Sequence, residues 1–496
     1  MCIRDRCLDG DTRGHGGPFH QIGIRGLLPA HDNGRNPARD DGVDGVLQGP
    51  VTAEDTDHHH GGTIEQLSEL ACSQSGRVCP AVARSAGARG DQVGVGCRQQ
   101  DDRGPGHPNT VATPPYRGPV ARSRKDDACP GALHLHQAAD GALARVRLPG
   151  GMITAGQLES LAEAAERFAA GVLELTARGN LQVRGITDTS ALADAVAAVG
   201  LLPSLTHERV RNIVASPLSG RLGGVVDVRP WVKDLDHAIQ AAPDLARLPG
   251  RFWFSIDDGS ADVSGLAADV GVHALDSEIV ALLLAGRDTG VRLPPDGAAS
   301  ALITIATRFA ETRGDAWRIS ELDERDSLLI GFTPTQPAGD TFAPINRPPV
   351  GWIEQDDGHV ALGAAVPLGV LSVRQAQFVA AINAPVVITP WRSLLVCDLA
   401  EGVADASLRV LAPLGLVFDE TSRWLEVSAC VGSPGCERSR ADVRAEAARV
   451  VESGDGGMNR VHLVGCERAC GSPPAGEVLV ATAEGYRAIP RTEGPP

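Results

Sequence analysis

The chain has 496 residues and 51.6 kDa, with 43% hydrophobic and 22% charged residues. That is enough for two or three domains with real cores and too apolar for a wholly disordered protein. A net charge of −16 argues against a nucleic-acid binder, and no run of about 18 apolar residues is present to span a membrane. Eleven cysteines are too dilute for a disulfide scaffold. The N-terminus shows no basic start followed by an apolar stretch, so a cytoplasmic protein with reduced thiols is expected.

Residues 1–125 hold 15 acidic and 15 basic residues, which puts the whole net charge on 126–496. Gly, Arg, Asp and His dominate this stretch, and apolar residues rarely recur at helical or strand spacing. The chain also carries 44 Arg against only Lys125 and Lys233, the mark of GC-rich coding. Residues 1–125 are therefore expected to be a disordered or spurious extension.

Order begins near Asp126. The stretch 143–148, LARVRL, alternates as a half-buried strand, with Arg145 and Arg147 on the polar face. Thr154 then precedes an amphipathic helix whose stripe is Leu158, Leu161, Ala162, Ala165 and Phe168. Gly171 ends it, and strands 172–176 and 181–186 follow, the second with Gln182 and Arg184 on one face. This β-α-β-β run recurs about 215 residues on. Residues 144–154 align with 362–372, Pro149 on Pro367, and 175–183 align with 388–396, Thr176 on Thr389. Two related halves about a pseudo-twofold axis are expected. The segment 276–287, DSEIVALLLAGR, reads as a helix, and the Pro-rich stretch 334–349 as a linker.

Four cysteines near the C-terminus carry the strongest chemical signal. Cys430-x5-Cys436 and Cys466-x3-Cys470 follow two predicted strands, 424–429 and 460–465. An amphipathic helix between those strands predicts a parallel pair, which brings both loops to one sheet end. Structural zinc sites favour spacers of two to four residues. The wider first spacer favours a [4Fe–4S] cluster over zinc or unliganded thiols. His134, His136, His207, His359 and His462 are scattered and form no two-His-one-carboxylate set. His462 is expected to be structural, and Cys129 and Cys397 to serve packing. No G-x-G-x-x-G follows a strand, so no NAD site is expected in this chain.

These cysteine spacings resemble the sirohaem-dependent nitrite and sulfite reductase family. So do the repeated β-α-β-β unit, the 128–151 segment with its Cys-Pro-Gly, NIVASPLSG (212–220), LPGRF (248–252) and TPWRSLLV (389–396). The resemblance covers about 126–490. It implies an α+β fold of two ferredoxin-like repeats related by a pseudo-twofold, each followed by an α/β domain, the C-terminal one carrying a 4Fe-4S cluster. The implied domains are 126–200, the first repeat; 201–333, the first α/β domain; 334–349, the linker; 350–405, the second repeat; and 406–496, the cluster domain.

Within the family, the chain looks most like the oxygen-dependent branch that acts in aerobic cobalamin synthesis. That branch implies an oxidoreductase of monooxygenase type, which hydroxylates precorrin-3A and closes a lactone. Its partners would be O2 and an NADH-linked electron-donor reductase. The resemblance places Cys430, Cys436, Cys466 and Cys470 on the cluster. It implies either a mononuclear non-haem iron with unassigned ligands or sirohaem at Cys470. It puts Arg145, Arg147, Arg178, Arg184, Arg211, Arg251 and Arg392 on the carboxylates of the tetrapyrrole, which planar guanidinium forks suit. The alternatives are a sirohaem nitrite or sulfite reductase and, from another class, a non-catalytic iron–sulfur carrier or zinc module.

Overall fold

A computed structural model describes residues 127–489 except 340, 346, 455–459 and 474. The expectation for 1–125 lies outside the described residues. The first half runs β1 (His136–Ala138), β2 (Gly141–Val146), β3 (Met152–Ile153), α1 (Ala155–Phe168), β4 (Val172–Leu175), β5 (Leu181–Ile186) and α2 (Thr189–Ala198). An α/β unit follows: β6 (Ile213–Ala215), α3 (Arg229–Ala241), β7 (Phe254–Asp257), β8 (Val270–Ala274), β9 (Val280–Leu284), β10 (Arg287–Leu293) and α4 (Pro295–Thr312). The second half repeats the first as β11 (Gly351–Glu354), β12 (Val360–Ala365), β13 (Val370–Ser372), α5 (Val373–Ala381), β14 (Val386–Ile388), β15 (Ser393–Leu399) and α6 (Glu401–Leu411). The chain closes with β16 (Val427–Ala429), α7 (Val443–Ser453), β17 (Val461–Val464), β18 (Glu477–Thr482) and β19 (Gly485–Ala488).

The two halves match in detail. Thr154 and Ser372 each cap a helix, accepting from the backbone N–H of Gln157 and Gln375, whose side chains reach back to the caps. Thr176 and Thr389 each fold the β-turn that follows by accepting from backbone N–H groups two and four residues on. Each half also lends a strand to the other. The first sheet has the order β1-β2-β5-β4-β13 and the second β11-β12-β15-β14-β3. Leu371 of β13 stands opposite Leu173 of β4, and Ile153 of β3 opposite Val386 of β14. Gly151 (φ +71°) lies against the Ile388 carbonyl, and Gly369 (φ +69°) against the Leu175 carbonyl. The backbones cross too closely at both places for an unstrained side chain. One shared core, with Leu158, Leu161, Leu173, Leu362, Leu371 and Val379 among its residues, fills the space around α1 and α5.

The two α/β units also share a plan. Strands β6, β7 and β8 are parallel, with β9 and β10 antiparallel to them in turn; β16, β17 and β18 are parallel, with β19 antiparallel. One expectation is corrected here. The 276–287 segment is strand β9 and a turn, not a helix. All of Val280–Leu284 is buried on both faces, and an unbroken apolar run of that length shows no periodicity to separate strand from helix. Among the described residues, the Pro-rich stretch holds no helix and no strand beyond a single bridge, Thr341 to Arg287. It is pinned to its neighbours: Phe342 stacks 4.6 Å from His273, and the Ile345 carbonyl accepts from the Trp391 indole at 2.7 Å. Among the described residues no helix is long and apolar enough to cross a membrane.

Candidate functional site

Strands β16 and β17 pair in parallel, with Ala429 opposite Leu463, so the chain leaves both at the same sheet end. The loop after β16 carries Cys430 and Cys436; the loop after β17 carries Cys466 and Cys470. Backbone bonds tie the loops together. Cys430 N–H donates to the Leu463 carbonyl at 2.9 Å, Gly465 N–H points at Cys430 Sγ at 3.4 Å, and Arg440 N–H donates to the Gly465 carbonyl at 3.0 Å. Gly465 faces Ser439 so closely that a Cβ there would overlap its hydroxyl. The Cys470 thiol is pushed up by burial and by the neighbouring Cys466, Cys430 and Cys436, so all four sulfurs share one locality. Cys470 is the exposed member. Among the described residues, only Asp257, Asp258 and Asp262 bring three candidate ligand atoms within 4.8 Å of one another. The cysteine sulfurs are thus spread more widely than four ligands about one zinc ion, which stand about 3.8 Å apart for Zn–S bonds of 2.3 Å. His462 is buried, with Ser428 Oγ 2.9 Å from Nδ1 and the Cys470 carbonyl 3.1 Å from Nε2, so it braces the second loop.

The seven arginines divide by partner. Arg184 grips Asp140 with two bonds (2.9 and 2.7 Å) and donates to the Gly435 carbonyl at 2.8 Å. Arg392, at φ +58°, donates to the Gly471 carbonyl at 3.1 Å. These two hold the cysteine loops, and Arg211 is locked on Asp236 at 2.6 and 2.8 Å. Arg184 and Arg211 thus meet protein carboxylates with both arms of the fork, while Arg392 gives one nitrogen to a backbone carbonyl.

Arg145, Arg147 and Arg178 instead gather about Cys129. Arg145 Nη1 lies 3.4 Å and Arg147 Nη2 3.8 Å from its sulfur. Arg178 lies over the Trp253 ring at 5.7 Å, and burial together with Arg318 lowers it to about 9. Burial lowers Arg147 to about 10. Arg251 is exposed and lies over Trp317 at 4.9 Å.

Sequence reasoning missed the relay that joins these two groups. Arg444 on α7 donates to Glu174 at 2.6 Å, Gln182 donates to the other Glu174 oxygen at 2.8 Å, and Arg145 donates to Gln182 at 2.9 Å. The signal was present, because Glu174, Gln182 and Arg145 are cross-strand neighbours on one face. It also missed the counterpart of the cysteine loops in the first α/β unit. There Ser216 occupies the place of Cys430, donating its N–H to Ile256 and accepting the Asp258 N–H at 3.1 Å. The loop after β7 offers Asp258 and Asp262 where the other unit offers thiols.

Comparison with known proteins follows the same lines. The nitrite/sulfite reductase ferredoxin-like half-domain model matches residues 135–198, which run from β1 to α2. A precorrin-3B synthase from Sinorhizobium sp is 29% identical over 393 residues, covering 74% of this chain and 83% of that protein. The chain is thus similar to proteins of the nitrite and sulfite reductase family, and its first repeat matches that family's half-domain. A ferredoxin–nitrite reductase of Synechococcus elongatus is 23% identical, over 68% of this chain and 75% of that protein. The hemoprotein beta-component of the NADPH sulfite reductase of Afipia carboxidovorans is 22% identical, over 69% and 73%. The solved structure of the NirA protein of Mycobacterium tuberculosis superposes with a TM-score of 0.59 at 21% identity, covering 70% of this chain and 73% of that one, and so shares its fold.

Proposed function

We propose that the chain is a precorrin-3B synthase, an oxygen-dependent oxidoreductase of monooxygenase type that hydroxylates precorrin-3A and closes a ring acetate to a lactone. The observation that carries this reading is the likeness to the Sinorhizobium protein over 83% of its length. The arginine nest supports it. A substrate fringed with carboxylates must bind a chain of net charge −16, so local cations have to outweigh the global field. Arg145, Arg147 and Arg178 provide a concentrated patch, and exposed Arg251 extends it. Each charge-assisted bond contributes about 1.5–3 kcal/mol when partly desolvated.

Cys430, Cys436, Cys466 and Cys470 would hold a [4Fe–4S] cluster, and the wide spread of their sulfurs suits a polynuclear core better than zinc. Such a cluster supplies electrons one at a time, here from an NADH-linked reductase. The Glu174–Gln182–Arg145 relay then fixes the distance between the cluster domain and the substrate nest. Among the described residues no His-His-carboxylate set stands beside the arginines, so no residue is assigned to a mononuclear iron. A cytoplasmic setting goes with this reading.

A second reading, a sirohaem nitrite or sulfite reductase, is favoured by one observation: Cys470 is the most exposed residue of the four, which would leave a cluster held there accessible on that side. The test is incubation of the anaerobically purified full chain with precorrin-3A, O2 and a reducing system. Hydroxylated lactone is expected from protein with broad cluster absorption and no Soret band. A Soret band with reduction of nitrite or sulfite supports the second reading, and an intact cluster without product rejects the first.

A further inference from the structure

We propose that Cys129 is a nucleophilic thiolate seated in a nest of three guanidinium groups, a modification site for small, soft electrophiles. The geometry carries the assignment. Arg145 reaches it from β2 and Arg147 from the residue just past the end of β2, and Arg178 faces it from the turn between β4 and β5. None of the three is engaged by a carboxylate. Arg145 donates to Gln182 and Cys129; Arg147 donates to the Arg209 and Pro130 carbonyls and Cys129; Arg178 rests on Trp253.

Two buried nitrogens of this nest, Arg145 Nε and Arg147 Nη1, have no acceptor at all. Arg147 is only 2% exposed, so an anion is needed beside it. The Glu208 carboxylate also acts on Arg147, but its oxygens accept from Ala132 N–H and pair with His134, and the sulfur of Cys129 is the group that both Arg145 and Arg147 reach. As a thiol it donates to the Gly250 carbonyl at 3.2 Å. On the opposing side stands Asp127, whose carboxylate is occupied by the N–H groups of Cys129 and Gly250 and lies 3.9 Å from Arg209.

Burial and Asp127 raise the thiol, Arg145, Arg147 and Arg178 lower it, and the net direction is downward from its ordinary value. Cys129 is half-buried, which leaves a path for a compact reagent. Cys397 is the opposite case within the same chain: it lies buried among Ala361, Val387 and Leu395, and burial pushes it up to about 11.

The site rests on local charge and not on the tetrapyrrole reading. With iodoacetamide as probe, the sulfur attacks the methylene carbon, the carbon–iodine bond breaks and iodide leaves with the electron pair, so a thioether forms. The experiment is alkylation of the intact full-length protein across about pH 6 to 9, read as the modified Cys129 peptide by mass spectrometry. The expected midpoint lies below the 8.5 of a free thiol. Arg147→Gln and Arg145→Gln should each move it upward, whereas Arg147→Lys should keep it low. Arg145 is less buried than Arg147, so its variant preserves the test if Arg147→Gln does not fold. Cys397 should stay unlabelled until the protein is denatured. A Cys129 midpoint at or above the free-thiol value overturns the proposal. So does a folded protein in which Cys129 is labelled only after denaturation.

Discussion

Arg184 donates to the carbonyl of Gly435, the residue before Cys436, while its other bonds hold Asp140 in the β1–β2 turn. Arg392 does the same for Gly471, the residue after Cys470. Each repeat thus supplies one arginine to one cysteine loop. The C-terminal unit therefore takes its loop geometry from the ferredoxin-like halves as well as from its own sheet.

Replacing either arginine by Ala removes a charge-assisted bond of about 1.5–3 kcal/mol. We expect Arg184→Ala and Arg392→Ala to lose iron to a chelator about tenfold faster than the parent, followed as decay of the broad visible absorption. Cys436→Ser and Cys466→Ser should show no such absorption after purification. Equal decay rates for the parent and both arginine variants would remove these arginines from cluster retention.

Arg178 and Asp236 should separate binding from stability. Arg178→Ala takes a guanidinium from the nest without breaking a bond to a carboxylate. Titration with uroporphyrin, an octacarboxylate, should show affinity weakened by about tenfold, with iron content and melting temperature little changed. Asp236→Ala leaves Arg211 buried without its partner, which costs about 3–5 kcal/mol. Its porphyrin affinity, measured where it is still folded, should be unchanged.

Asp262 gives the first α/β unit a pH dependence of definite sign. Burial and then the neighbouring Asp257 raise its carboxyl from 3.8 to about 7. The folded protein therefore holds a proton that the unfolded chain has released between these values, and stability falls as pH rises from about 4 to about 7. Asp262→Asn keeps an oxygen for the Ser216 hydroxyl, which donates to Asp262 at 2.6 Å. The variant should match the parent near pH 4 and exceed it by up to about 4 kcal/mol at pH 8 in urea unfolding. An equal gap at both pH values would contradict the raised carboxyl.

Gly151 and Gly369 occupy matching places, yet their substitution should be unequal. A Cβ at Gly151 would overlap the Ile388 carbonyl, whereas one at Gly369 would stand 3.2 Å from that of Leu175. Gly151→Ala should cost roughly 2–4 kcal/mol and Gly369→Ala about 1 kcal/mol. Chemical denaturation of both variants decides it.

The repeat was legible because Pro149 and Pro367, and then Thr176 and Thr389, recur in order with the same turn chemistry after them. The cysteine loops were legible because strand, helix and strand periodicities surround them, which requires a parallel pair. The strand exchange was not. Strands β3 and β13 have two and three residues, too few to show alternation. The arginines show the complementary limit. Alternation put Arg145, Arg147 and Arg184 on a polar face, but the choice between a protein carbonyl and an open cavity depends on Gly435, which is 251 residues from Arg184 in the chain.

The reciprocal loan of β3 and β13 also bears on how the molecule is made. While a nascent chain emerges, the outer edge of β4 has no neighbour until Ser372 has been delivered, and β3 waits longer still for Val386. Neither half can be completed in isolation, so biosynthesis passes through a stage with an open sheet border that could recruit a stranger. A gene cut between the halves would yield two pieces that must find each other to become whole.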